Sequence, residues 1–102
     1  MYKDIDPEEA RELMEQPETI IIDVRTPQEW EEGIIPGALK MNIMDQDFAQ
    51  RISEMDKDKK YLMVCRSGNR SAKACQYMSS IGFSHLYNLD GGMLDWDGEV
   101  EE

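Results

Sequence analysis

The sequence predicts an α/β domain, a mostly parallel sheet with helices on both faces. Three observations carry that prediction. The run Thr19 to Val24, TIIIDV, is continuous and β-branched, which suits a strand buried on both faces. A second apolar run, Tyr61 to Val64, has the same character. Helix starts lie ahead of and between them. Asp6-Pro7-Glu8-Glu9 and Thr26-Pro27-Gln28-Glu29 each place a capping residue, a proline and an acid three residues after the cap. Strands alternating with helices argue for parallel pairing, because parallel neighbours need a crossover long enough to hold a helix.

The elements follow in order. Tyr2 to Ile5 predicts a short strand, and the Asp6 cap opens a helix with Ala10, Leu13 and Met14 at helical spacing. Thr19 to Val24 is the next strand. The Thr26 cap predicts a short helix to about Glu32, stopped by Gly33, and Ile34-Ile35-Pro36-Gly37 reads as an irregular turn. Leu39 to Ile43 alternates enough for a strand. Asp45 or Asp47 can cap a helix through Met55, with Phe48, Ile52 and Met55 on one stripe. Lys60 to Cys65 predicts a strand, and Asn69 to Ile81 a helix ending at Gly82. His85 to Leu89 predicts the last strand. Gly91-Gly92 leads to a short helix from Met93 to Trp96, and the acidic residues 97–102 are expected to fray.

The chain has 102 residues, room for one domain over 1–102, and a formal net charge of −11. That balance argues against nucleic acid or an anionic membrane as partner. Its first ten residues are charged from Lys3 onward, which predicts no secretory signal, and no apolar run reaches the roughly 18 residues of a membrane helix. The two cysteines, Cys65 and Cys75, match neither Cys-x-x-Cys nor a zinc-ligand spacing, so no metal or other cofactor is expected. The cytosol, where thiols stay reduced, is the expected compartment.

Basic residues are concentrated. Residues 57–73 hold six of the eleven (Lys57, Lys59, Lys60, Arg66, Arg70, Lys73) against one acid, Asp58. The first three sit at the far end of a strand and read as a solvated turn. The others surround VCRSGNRSA, Val64 to Ala72, where an apolar strand runs directly into a thiol and then into a small polar loop. In parallel α/β sheets ligands gather at the carboxyl ends of strands, and Cys65 is expected there. A loop that folds back and feeds a helix points several backbone N–H groups at one spot, and such a nest favours an anion. Gly68 supplies positive φ, and Asn69 tolerates it. The anion can be the cysteine's own sulfur, since helix N-termini and cations lower a thiol's pKa. Cys65 is therefore expected to ionise without a histidine base. His85, the only histidine, lies on another strand, and Cys75, mid-helix beside Ala74 and Met78, is expected to be inert.

Four stretches resemble the rhodanese family of sulfurtransferases, of the single-domain type. These are IDVRTPQEWEEG (Ile22 to Gly33), IPGA (Ile35 to Ala38), CRSGNRS (Cys65 to Ser71) and YNLDGGMLDW (Tyr87 to Trp96), in the family's order and spacing. The resemblance implies a three-layer sandwich around a five-stranded, mostly parallel sheet. It implies that Cys65 takes a sulfane sulfur from thiosulfate or another donor, becomes a persulfide, and passes the sulfur to a thiol, cyanide or protein acceptor. The amides of Arg66, Ser67, Gly68, Asn69 and Arg70 would hold the terminal sulfur, with Arg66 preferred for the anionic donor and Arg70 either in the site or bracing the helix. Asp23 and Arg25 are expected to form a structural ion pair, and Trp30 and Trp96 to anchor the core. The sequence departs from the family's Gly-His-Ile-Pro-Gly-Ala in placing Ile34 after Gly33. Other readings are a persulfide carrier served by protein partners, an idle binding module, and a phosphatase. The last would need Cys-x5-Arg, whereas Cys65 and Arg70 are one residue closer.

Overall fold

The structure is a computed structural model describing residues 1–102. Its strands are β1 (Tyr2–Ile5), β2 (Thr19–Asp23), β3 (Leu39–Lys40), β4 (Lys60–Val64) and β5 (His85–Leu89). Its helices are α1 (Pro7–Met14), α2 (Pro27–Trp30), α3 (Phe48–Ser53), α4 (Asn69–Ser80) and α5 (Gly92–Asp95). The five strands form one sheet in the order β1-β5-β4-β2-β3, and every pairing is parallel.

Side-chain alternation along the central strand sorts the core into two layers. Tyr61, Met63 and Cys65 point to the face covered by Phe48 and Ile52 of α3 and by Ala74, Cys75 and Met78 of α4. Leu62 and Val64 point to the other face, against Ala10 and Leu13 of α1, with Met93 and Trp96 packed alongside. Each large apolar side chain buried in these layers contributes about 1.5–3 kcal/mol. From Tyr61 to Val64 β4 is apolar and buried, because both its faces are covered there.

The connections place the site. From β2 the chain runs through α2 to β3 on one side, and from β4 through α4 to β5 on the other. The gap between the carboxyl ends of β2 and β4 is thus the point where the winding reverses, and ligand crevices open at such points. Cys65 follows the last residue of β4 directly.

Local signals set the helix starts. Glu9 N–H donates to Asp6 Oδ1 at 2.8 Å and Asp6 N–H to Glu9 Oε1 at 3.2 Å, a reciprocal cap repeated by Thr26 and Glu29 on α2. Several ends differ from expectation. α2 stops at Trp30, because Gly33 N–H bonds Trp30 carbonyl in a tighter turn and Gly33 has φ +121°. α3 ends at Ser53 rather than Met55, in similar three-residue turns at Glu54 and Met55. β3 keeps only Leu39 and Lys40, since β2 ends at Asp23. Even so, Met41 and Ile43 still donate to Asp23 and Val24 carbonyls.

In residues 97–102, Glu101 and Ile34 exchange two backbone hydrogen bonds of 2.8 Å, and Asp97 pairs with Arg11. A lone bridge between distant segments has no periodicity for sequence reading to detect. The tryptophans are half-buried rather than core anchors. Trp96 packs at the edge of the α1 layer under Arg11, and Trp30 lies outside both layers with Lys40 above its ring.

Candidate active site

The site is assembled from Cys65 outward. Cys65 is 1% exposed, at the end of β4. Arg66 and Ser67 turn away from the sheet, and Gly68, with φ +98°, reverses the chain into α4 as its N-cap. That left-handed conformation aims Gly68 N–H at Cys65 Sγ, 3.0 Å away. A Cβ would also be tight here, 3.3 Å from Gly91 N.

Burial is the largest single influence on the thiol and pushes its pKa up. The Ser71 hydroxyl, 3.2 Å from the sulfur, and the amides of Ser71, Ser67 and Gly68 together outweigh it, so the net displacement is downward. Cys75 has no such donors. It is fully buried, and burial, with the charges of Asp4 and Cys65 adding, pushes its thiol up to about 12. Two cysteines ten residues apart in one core layer thus differ in chemistry because only one faces a ring of N–H and O–H groups.

The loop residues fare differently. Ser67 and Asn69 are exposed, and so is Arg66, which has no carboxylate partner. Arg66 lines a cleft of about 280 Å³ with Glu32, Leu94, Trp96 and Val100. Arg70 braces the helix instead: Nη1 and Nη2 donate to Glu29 Oε1 and Oε2 at 2.7 and 2.8 Å. Arg70 holds the Glu29 carboxyl down at about 2 against the resistance of burial, and the Thr26 amide helps. Asp23 and Arg25 form the expected buried ion pair. Arg25 Nη2 lies 2.9 Å from Asp23 Oδ2 and 2.8 Å from Gly33 carbonyl, which ties the end of β2 to the end of α2.

Three contributions were not expected from the sequence. Ser71, beyond the loop, reaches the sulfur. Asn88 of β5, 2% exposed, donates to Gly68 carbonyl at 3.2 Å and accepts from Ser71 Oγ. Its signal was a polar amide inside an apolar strand, where buried polar groups usually serve a specific partner. The third is α5, whose Met93 and Leu94 amides donate to Cys65 and Arg66 carbonyls at 2.9 and 3.0 Å. Gly92 permits that approach, since a Cβ there would stand 2.4 Å from Cys65 carbonyl oxygen. Cys65 to Ser71 and Tyr87 to Trp96 therefore meet at the sulfur, and Ile22 to Gly33 is joined to them through Glu29 and Arg70.

Fold and site define a parallel α/β domain built around a buried cysteine whose sulfur is cupped by donors. The chain belongs to the rhodanese-like domain family, which matches residues 6–99. It is 38% identical over 100 residues to the putative sulfurtransferase YtwF of Bacillus subtilis, across 97% of this chain and 94% of that protein. It is 39% identical over 95 residues to the thiosulfate sulfurtransferase GlpE of Pseudomonas syringae, across 93% and 87% of the two chains. The crystal structure of a rhodanese-like domain protein from Staphylococcus aureus superposes with a TM-score of 0.83 at 33% identity, covering 97% of this chain and 96% of that one. No helix of the chain is long and apolar enough to cross a membrane.

Proposed function

We propose that the protein is a sulfurtransferase that moves a sulfane sulfur from thiosulfate or a persulfide donor to a thiophilic acceptor through a persulfide on Cys65. The observation that carries the reading is the Gly68 amide 3.0 Å from Sγ, with the Ser71 hydroxyl at 3.2 Å. Donors of this kind favour a thiolate, the form that attacks sulfur. The Cys65 thiolate attacks the outer sulfur of thiosulfate. The Sγ–S bond forms as the donor's S–S bond breaks, and the electron pair leaves with sulfite. Negative charge then rests on the terminal sulfur, which lies within reach of the loop amides. An acceptor thiolate or cyanide attacks that terminal sulfur and returns Cys65 as the thiolate. Arg66, the loop cation without a carboxylate partner, attracts the anionic donor and offsets charge on departing sulfite.

The near-complete burial of Cys65 argues against a phosphatase. A terminal sulfur can reach the thiolate end-on, whereas a phosphoryl centre carries three oxygens that must enter with it. A persulfide relay fed by protein partners is the second reading. Leu94 and Val100, 63% and 50% exposed on the cleft beside Arg66, favour it.

Intact mass after incubation with thiosulfate tests the proposal. The expected result is a gain of one sulfur atom, removed by cyanide or a reductant and absent in Cys65→Ser. Unchanged mass with both thiosulfate and a protein persulfide would overturn it. Loading by the protein persulfide alone selects the relay.

A further inference from the structure

Asn88 lies on β5 beside Met63 of β4 and Asp4 of β1. Its Nδ2 is 2.9 Å from Asp4 Oδ1 and 3.2 Å from Gly68 carbonyl oxygen, both acceptors, which fixes the amide's orientation. Oδ1 must then face Ser71 Oγ, within hydrogen-bond distance. The same Oγ is 3.2 Å from Cys65 Sγ. A serine hydroxyl carries one hydrogen, while amide oxygen and thiolate can only accept.

The state of Cys65 decides where that hydrogen goes. With Cys65 protonated there is no conflict, because S–H donates to Ser71 Oγ and Ser71 donates to Asn88. An ionised sulfur takes the Ser71 hydrogen only by leaving Asn88 Oδ1, which is buried, without a partner. Once a second sulfur is attached, charge moves to the outer atom, Sγ becomes a weak acceptor, and the hydrogen returns to Asn88.

We propose that Asn88 is a positioning residue that acts through Ser71, competing with the resting Cys65 thiolate for the Ser71 hydroxyl hydrogen and so keeping the sulfur more basic and more nucleophilic. Attack rates rise with thiolate basicity. The consequence for turnover rests on the sulfur-transfer reading, but the competition itself is a property of the unloaded protein. Charged and titratable groups act on the same centre. Arg70 and Cys75 of α4 both feel the sulfur's charge, Arg70 also feels Asp23 of β2, and Cys75 also feels Asp4 of β1. Arg66 is in the loop itself. None of them is replaced by the substitutions below, although Asp4 loses its Asn88 Nδ2 donor when Asn88 is changed.

The test is titration of thiolate absorbance near 240 nm in the native protein, Asn88→Ala, Ser71→Ala and the double variant, with Cys65→Ser as blank. Cys75, at about 12, stays silent over the range. Asn88→Ala should lower the midpoint by about one pH unit, tenfold in ionisation constant. Ser71→Ala should raise it, and in that background the Asn88→Ala lowering should disappear. Sulfur loading at a pH above both midpoints should slow about threefold in Asn88→Ala, as the sensitivity of nucleophilicity to basicity requires. A midpoint that rises or stays put in Asn88→Ala overturns the proposal, since a rise is what a merely loosened loop with a displaced Gly68 amide would give. Persistence of the lowering without Ser71 overturns it too. Asn88→Leu, which keeps the side-chain branching without an acceptor, is read the same way should Asn88→Ala unfold. If the native protein takes up no sulfur, the sulfur-transfer reading fails while the titration still decides the role of Asn88.

Discussion

Arg70 grips Glu29 with both arms of its guanidinium, at 2.7 and 2.8 Å, across 41 positions of sequence. Glu29 also completes the cap of α2, accepting from Thr26 N–H at 3.2 Å. One carboxylate therefore locks the start of α2 to the start of α4, and with it the exit of the cysteine loop. This spends the charge of one loop arginine on structure, while Arg66 has no carboxylate partner.

The pair makes stability depend on pH. Glu29 titrates at about 2 in the fold against 4.5 when free. A depressed acid contributes stability above its free value and loses it as pH falls through the folded one. The native protein should therefore lose about 1–2 kcal/mol more than Glu29→Gln between pH 4.5 and 2, after discounting for partial solvent screening. Urea unfolding of both proteins across that window checks it. Parallel curves would show that the bridge contributes nothing.

Gly92 and Gly37 form a controlled comparison. Both have positive φ, +58° and +86°. A Cβ at Gly37 meets nothing within 4 Å, so Gly37→Ala should cost only about 1 kcal/mol of backbone strain. At Gly92 it would stand 2.4 Å from Cys65 carbonyl oxygen and 2.5 Å from two Arg66 backbone atoms, none of which can swing aside. Gly92→Ala should cost about 3 kcal/mol or more and displace the loop, with sulfur transfer falling alongside the denaturation midpoint. Equal midpoints for the two variants would refute the close docking of α5 on the loop.

The two cysteines should separate cleanly. Cys65→Ser should abolish sulfur transfer with unchanged far-ultraviolet dichroism. Cys75→Ser should keep nearly full turnover and lose about 1–2 kcal/mol, since a hydroxyl replaces a thiol in an apolar layer. Steady-state rates and thermal melts read both. A large loss of turnover in a folded Cys75→Ser would give that thiol a chemical role.

What the sequence disclosed here follows from the range of each interaction. The Asp6–Glu9 and Thr26–Glu29 caps span three residues and were legible. So was Cys65 at the tip of β4, because an apolar run ends abruptly at a thiol. Gly68 was legible from its neighbours, since a turn back into a helix demands positive φ. The Arg70–Glu29 bridge, the Ile34–Glu101 pairing and the docking of Met93 and Leu94 amides on the loop were not. Each joins segments far apart in the chain, and any of several acids could have met Arg70 on sequence grounds. Ser71 and Asn88 fall between these cases. Both stood in recognised stretches, but their roles emerge only when α4 and β5 come together.

Arg66 offers the sharpest test of substrate charge. It is exposed, lacks a carboxylate partner and lines the cleft with Glu32. In the proposed reaction a cation here attracts a dianionic donor both before reaction and as sulfite departs, so its removal should affect encounter and leaving group together. A neutral organic persulfide requires neither. Arg66→Ala should thus raise the KM for thiosulfate about tenfold, the loss of one charge-assisted hydrogen bond. Its effect on a neutral persulfide donor should stay within about twofold, because the thiolate and its donors at Gly68 and Ser71 are untouched. Raising salt should weaken thiosulfate use by the native protein more than by Arg66→Ala, since screening acts on the attraction only where the cation is present. Steady-state kinetics with the two donors at low and high salt read the comparison. Equal losses on both donors would move Arg66 from binding the donor to holding the loop.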